Sequence, residues 1–193
     1  PARFFRLAGA GRGKVAGSRE NASPIMTDRP GEFELIARYF APLAKDKGAA
    51  NLTDDVATLR IAPGNELVVT TDTLISGVHF LGGDPPDLVA RKALRVNLSD
   101  LAAKGAAPIG YFLALSLPAD WREDWVSAFA HGLAEDQNVF SVGLLGGDTT
   151  ATPGPVTITI TALGRAPDNK TIRRGGAKLG DLVFVTGTIG DAG

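Results

Sequence analysis

Apolar residues Phe33, Ile36, Ala37, Phe40 and Leu43 recur at three- and four-residue intervals, which predicts a short amphipathic helix over residues 32–43 with Pro42 near its end. The run Leu67-Val68-Val69-Thr70-Thr71 is rich in β-branched residues and predicts a strand with Asp72 at its carboxyl end. Pro85-Pro86-Asp87 opens a second helical pattern carried by Ala90, Leu94, Leu98, Leu101 and Ala102 and ended before Gly105, which leaves Asp100 off the apolar stripe. Residues 109–117 form a mostly apolar strand stopped by Pro118. Asp120 and Glu123 then have the spacing of a capping box for a helix whose Trp125, Phe129 and Leu133 belong to the core. Residues 139–145 predict a buried strand closed by a Gly146-Gly147-Asp148-Thr149-Thr150 turn, and residues 156–161 alternate with period two. A further strand is expected over residues 181–187. Alternating strands and helices predict an α/β (α+β) fold, with a mixed, mainly antiparallel sheet and helices packed on one face. The threonine alternation at 157–161 leaves a sheet face for solvent or a second copy, so homodimerisation is an expectation.

Length and composition are those of a globular protein. The chain has 193 residues and is 44% hydrophobic, enough to bury a core. It contains no cysteine, which removes disulfides, thiolate metal sites and cysteine nucleophiles and makes the cytoplasm the default expectation. No apolar run reaches the roughly 20 residues that span a bilayer, so no membrane partner is expected. Residues 1–25 carry Arg3, Arg6, Arg12, Lys14 and Arg19 against Glu20 alone, leaving the remainder net acidic and arguing against a nucleic-acid partner. Met26 is the only methionine, and we take it as the native start. Residues 1–25 are then an upstream extension, with a basic transit peptide as the rival. Within them, Gly9-Ala10-Gly11-Arg12-Gly13-Lys14 imitates a phosphate loop. A Walker A motif would need glycine at Ala8 and Ser or Thr at Val15.

Five carboxylates carry the candidate chemistry: Asp54, Asp55, Asp72, Asp100 and Asp148, expected to turn toward a shared face. Crowded carboxylates repel one another, and a cluster that stays ionised holds a hard cation such as Mg²⁺. Each residue also has an ordinary role. Asp54-Asp55 fits a polar turn, Asp72 a strand-end cap, and Asn97, Asp100 and Lys104 a solvated helix face. Gly146-Gly147-Asp148 fits either a phosphate approach or a plain glycine turn. His79 fits either contact with an anionic or aromatic ligand or a structural role. His131 is assigned to structure.

Taken in order, Thr53-Asp54-Asp55-Val56-Ala57, Thr70-Thr71-Asp72-Thr73-Leu74-Ile75-Ser76-Gly77-Val78-His79-Phe80, Asn97-Leu98-Ser99-Asp100-Leu101-Ala102-Ala103-Lys104-Gly105-Ala106 and Gly146-Gly147-Asp148-Thr149 resemble thiamine-monophosphate kinase. The resemblance extends from about Gly31 to Gly193. It implies the fold of the aminoimidazole ribonucleotide synthetase N-terminal domain, with an ATP- and Mg²⁺-binding domain over 26–166 and the start of a second domain over 167–193. It also implies ATP as co-substrate, thiamine monophosphate as acceptor, several Mg²⁺ ions and a homodimer. By the same resemblance Asp54, Thr70, Thr71, Asp72, Asp100 and Asp148 hold metal, with Asp55 a less certain match. Gly147, Asp148 and Arg165 touch ATP, and His79 lies beside thiamine phosphate. No side chain is assigned as a general base. A related cycloligase is a rival, although the 72–80 stretch favours the kinase. Selenophosphate synthesis is disfavoured because its reactive cysteine is missing. A noncatalytic nucleotide- or cation-binding module is a third reading.

Overall fold

The structure is a computed structural model and describes residues 30–54, 56–185 and 187. Four strands form one sheet: β1 (Asn65–Ile75), β2 (Ala107–Pro118), β3 (Gly143–Thr152) and β4 (Thr157–Pro167), in the order β1-β4-β2-β3. β4 runs antiparallel to both β1 and β2, whereas β3 lies parallel to β2 at the edge. The parallel pair requires a crossover, which is the helix α3 (Glu123–Phe140). The sheet is therefore mixed and mainly antiparallel, as the alternation predicts.

Period-two burial decides the two faces. Leu74, Tyr111, Leu113, Leu115, Leu117, Ile158, Ile160 and Ala162 are buried on one face. They meet Val89, Ala90, Leu94 and Leu101 of α2 (Pro86–Ala103), and Val126, Phe129 and Leu133 of α3, in a single core. Trp125 stacks on Phe129 with centroids 5.1 Å apart. The other face is open, with cross-strand hydroxyl pairs Thr71–Thr161 at 3.0 Å and Thr73–Thr159 at 2.9 Å. Leu67 and Val69 remain about half exposed there, at 46% and 54%.

Several sequence expectations are corrected. The helical run at 32–43 is one α-turn, α1 (Glu32–Leu35), which widens to a π-turn at Ile36–Phe40 and tightens to a 3₁₀ turn at Ala41–Leu43. The widening occurs just before Pro42, which has no N–H to continue a ladder. The expected capping box is absent: α3 starts after Arg122 with no side-chain cap, and Glu123 instead accepts from Tyr39 Oη at 2.5 Å and from Arg38. Residues 139–140 are helical rather than strand, because α3 ends only at Ser141 in the left-handed conformation (φ 52°). The supposed 146–150 glycine turn lies inside β3. Residues 181–185 form no strand and are exposed, since no described residue pairs with them. Residues 1–25 lie outside the described residues.

Candidate active site

Asp72 lies inside β1 rather than at its carboxyl end as expected, because the strand continues to Ile75, and the sheet's pleat selects which of its residues face the helices. In β1 the positions Val68, Thr70, Asp72 and Leu74 alternate onto the α2 side, while Val69, Thr71 and Thr73 point to the open face. α2 crosses above this end, and Asp100 projects from its exposed side. Thr70 Oγ1 donates to Asp100 Oδ2 at 2.9 Å, tying strand to helix. Asp72 and Asp100 line one cleft of about 620 Å³ with Lys92, Arg95, Val96, Ser99 and Arg174. An adjoining cleft of about 380 Å³ shares Thr70, Asp100 and Arg174 and adds Lys104, Thr171 and Arg173. The lining of Lys92, Arg95, Val96, Ser99 and Asp100 follows from helical spacing, since residues three and four apart share a face. Asn97 does not join that face as expected. It is fully buried and donates from Nδ2 to Ala93 O at 3.0 Å.

Two carboxylates and a hydroxyl among cations suit a ligand that combines Mg²⁺ with phosphate. Among the described residues no three acidic or histidine side chains gather tightly enough to hold a metal by themselves. Mg²⁺ nevertheless commonly binds through one or two carboxylates plus substrate phosphates and water, so Asp72, Asp100 and the Thr70 hydroxyl fit such an ion. The cations Lys92, Arg95 and Arg174 fit the phosphate oxygens.

The remaining candidates are placed elsewhere. Asp72 stands in one cross-strand row with Ile160, Leu113 and Gly147, so β3 lies three strand spacings away, roughly 14 Å. Asp148 pairs with Ala114 and faces the open side. The expected meeting of all five carboxylates on one face therefore does not occur within one chain, because the register puts Asp148 on the far edge and the opposite face. Thr71 is also on the open face, where its hydroxyl donates to Ile160 O at 3.2 Å. Arg165 pairs with Leu67 at the other end of β4, six residues along the strand from Thr159 beside Ala114, or roughly 20 Å. A Cβ on Gly147 would fall 1.8 Å from Leu113 O, so strand packing alone demands glycine there. Asp54 is exposed in the loop before β1, and Asp55 lies outside the described residues.

His79 sits in the turn after β1, where Gly77 takes φ +82° and Phe80 is buried. Its Nδ1 accepts from Ile75 N–H at 3.0 Å, which puts the proton of the neutral ring on Nε2, free to donate outward. Lys92 Nζ donates to His79 O and links this turn to α2.

The pair that sequence reasoning missed is Arg95–Asp136. Asp136 is fully buried in α3 and accepts from Arg95 Nε and Nη2, each at 2.7 Å. The Asp136 hydrogen bond raises the Arg95 pKa above its ordinary value. A signal was present in the sequence: Asp136 falls on the apolar stripe of Phe129, Leu133 and Phe140, where a carboxylate needs a partner.

A mixed sheet roofed on one side by helices thus carries an acidic and cationic cleft at its β1 edge. The profile of the family "AIR synthase related protein, N-terminal domain" matches residues 53–166, and the chain belongs to this family. It is 52% identical over 175 residues to the thiamine-monophosphate kinase of Caulobacter vibrioides, covering 90% of this chain and 50% of that protein. It is also similar to the crystal structure of thiamine-monophosphate kinase from Stenotrophomonas maltophilia K279a. That match has 45% identity and a TM-score of 0.62, and covers 67% of this chain and 40% of the other. The structure of AaThiL complexed with AMPPCP and TMP matches at 32% identity and a TM-score of 0.59, covering 78% and 46% of the two chains. The chain spans about half the length of the curated relatives it matches. Among the described residues, no helix is long and apolar enough to cross a membrane.

Proposed function

We propose that this chain supplies the nucleotide- and metal-binding part of a kinase that transfers the γ-phosphoryl group of ATP to thiamine monophosphate, giving thiamine diphosphate. The observation that carries the reading is the convergence of Asp72 and Asp100 in one cleft with Lys92, Arg95 and Arg174, with Thr70 of the adjoining cleft bonded to Asp100. It is supported by the chain's similarity to thiamine-monophosphate kinases and by a relative's complex with AMPPCP, an ATP analogue, and TMP.

The acceptor is itself an ionised phosphate, so the reaction needs no general base and depends on alignment and charge neutralisation. Two phosphate groups at about 4 Å repel by several kcal/mol in a partly screened site. Bound Mg²⁺ supplies most of the neutralising charge. Asp72 and Asp100 would hold it, Thr70 fixes the orientation of Asp100, and the cationic side chains receive phosphate oxygens. His79, with Nε2–H outward, offers a donor to thiamine phosphate. Asp54 and Asp55 belong to the same metal set by resemblance.

Thr71, Asp148 and Arg165 lie on the open face and Gly147 in the helix-facing row of Asp72; by resemblance Thr71 and Asp148 hold metal, and Gly147, Asp148 and Arg165 touch ATP. The threonine rows of that face and half-exposed Leu67 and Val69 suit packing against a second copy, which supports a homodimer as part of this reading. Residues 26–166 form the nucleotide-binding domain, and 167–193 begin a further one.

A noncatalytic nucleotide- and cation-binding module is the second reading, favoured by the separation of Asp148 from Asp72 and Asp100. The test uses the complete gene product with ATP, MgCl₂ and thiamine monophosphate, and chromatography for thiamine diphosphate. The kinase reading expects Mg²⁺-dependent product that falls about a hundredfold in Asp72→Asn. Nucleotide binding by calorimetry without turnover supports the module instead and rejects the kinase.

A further inference from the structure

Arg95 is held more firmly than a surface arginine requires. Two of its three guanidinium nitrogens are taken by Asp136, whose side chain is fully buried between α2 and α3. Its Cζ also lies 5.7 Å from the centroid of the Phe140 ring, within cation–π range. The side chain is nonetheless 49% exposed, and it lines the cleft of Asp72 and Asp100. The third nitrogen, Nη1, donates no hydrogen bond among the described residues.

A buried carboxylate that fixes one edge of a guanidinium leaves the other edge preorganised. Holding a free arginine in one rotamer costs a good part of what its contact returns, and here the fold has already met that cost. The target must be an acceptor, since arginine only donates. It must also tolerate Asp72 and Asp100 nearby, which a bare carboxylate ligand would not. A phosphate group bridged to those carboxylates by a divalent cation satisfies both conditions.

We propose that Arg95, positioned by the buried Asp136 and by Phe140, binds a non-bridging phosphate oxygen of a ligand seated in the Asp72–Asp100 cleft. This inference rests on the kinase reading for the identity of its ligands. Two of those carry phosphate, ATP and thiamine monophosphate, and binding to each is measured separately.

The experiment uses the complete gene product in MgCl₂ and calorimetric titration with ATP, thiamine monophosphate and, as a phosphate-free control, thiamine. The variants are Arg95→Met and the double variant Arg95→Met/Asp136→Met. The double variant removes the buried charge together with its partner and so keeps the helix contact apolar. The expected result is a dissociation constant at least about tenfold weaker for one phosphate ligand in both variants, with thiamine unchanged, the loss of one charge-assisted hydrogen bond. Which ligand weakens identifies the phosphate. Wild-type affinity for both in the double variant, with an unchanged melting temperature, overturns the proposal and leaves the pair as a helix tie. So does equal weakening of thiamine. A wild-type protein that binds both ligands through Arg95 yet makes no thiamine diphosphate sinks the kinase reading alone. One that binds neither sinks both.

Discussion

At the scale of single residues the site is organised by one hydroxyl. Thr70 donates to Asp100 Oδ2, so Thr70→Val leaves that oxygen without its strand partner. Turnover should fall about tenfold, the usual effect of losing an orienting contact to a metal ligand, with little change in melting temperature. Asp100→Asn and Asp72→Asn should likewise reduce phosphoryl transfer far more than stability, because both carboxylates line a cleft rather than the core. The Glu123 cluster is a purely structural counterpart. Its carboxyl is held below the ordinary glutamate value, first by the Tyr39 hydroxyl and then by Arg38. A depressed folded pKa means stability that is present above the unfolded pKa and lost as pH falls through the folded one. Chemical denaturation across pH 3–7 should therefore show Glu123→Gln less stable than wild type near neutrality and the two converging on acidification. A gap that stays constant with pH would contradict that role.

At the scale of elements, the position of α2 decides where the site lies. Gly132 of α3 lets α2 approach so closely that a Cβ there would stand 2.3 Å from Asp87 O. Gly132→Ala should cost about 1–3 kcal/mol in urea denaturation as the helices are forced apart. It should also weaken binding in the cleft, because Lys92, Arg95, Ser99 and Asp100 ride on the displaced helix. The sequence made β1, β2, β4 and α2 legible, since β-branched runs and a regular apolar stripe reflect burial directly. It misled over 139–150. There a helix running to Phe140 and a glycine-rich edge strand both contradict local preference, and pairing with β2 overrides it. The expected strand is missing over 181–185 for the complementary reason: an apolar run becomes a strand only beside a partner. Asp72 and Asp100 could be selected from sequence, but their meeting with Arg95 depends on helix packing that no local pattern contains. The register that separates Asp148 from them is equally nonlocal.

At the scale of the whole molecule, the sheet has one face closed by its own helices and, among the described residues, one face without such a cover. Thr71, Thr73, Thr159 and Thr161 pair across that open face, and Leu67 and Val69 stand beside them. Val69→Lys should convert the expected dimer to a monomer in sedimentation velocity while leaving the fold's circular dichroism unchanged. A wild-type protein that sediments as a monomer would remove the second-copy reading of this face, and with it the proposed setting of Asp148 and Arg165. The cleft on the other side makes the sharper demand. On the proposed function, its acidic and hydroxyl groups act through a divalent cation that joins them to phosphate. The direct measurement is water-proton relaxation by Mn²⁺·ATP, with Mn²⁺ substituted for Mg²⁺, titrated with the complete gene product. Relaxation should rise above that of Mn²⁺·ATP alone as the wild type immobilises the ion, and should stay near the protein-free value with the Asp72→Asn/Asp100→Asn double variant at matched melting temperature. Equal enhancement with both proteins would contradict the account.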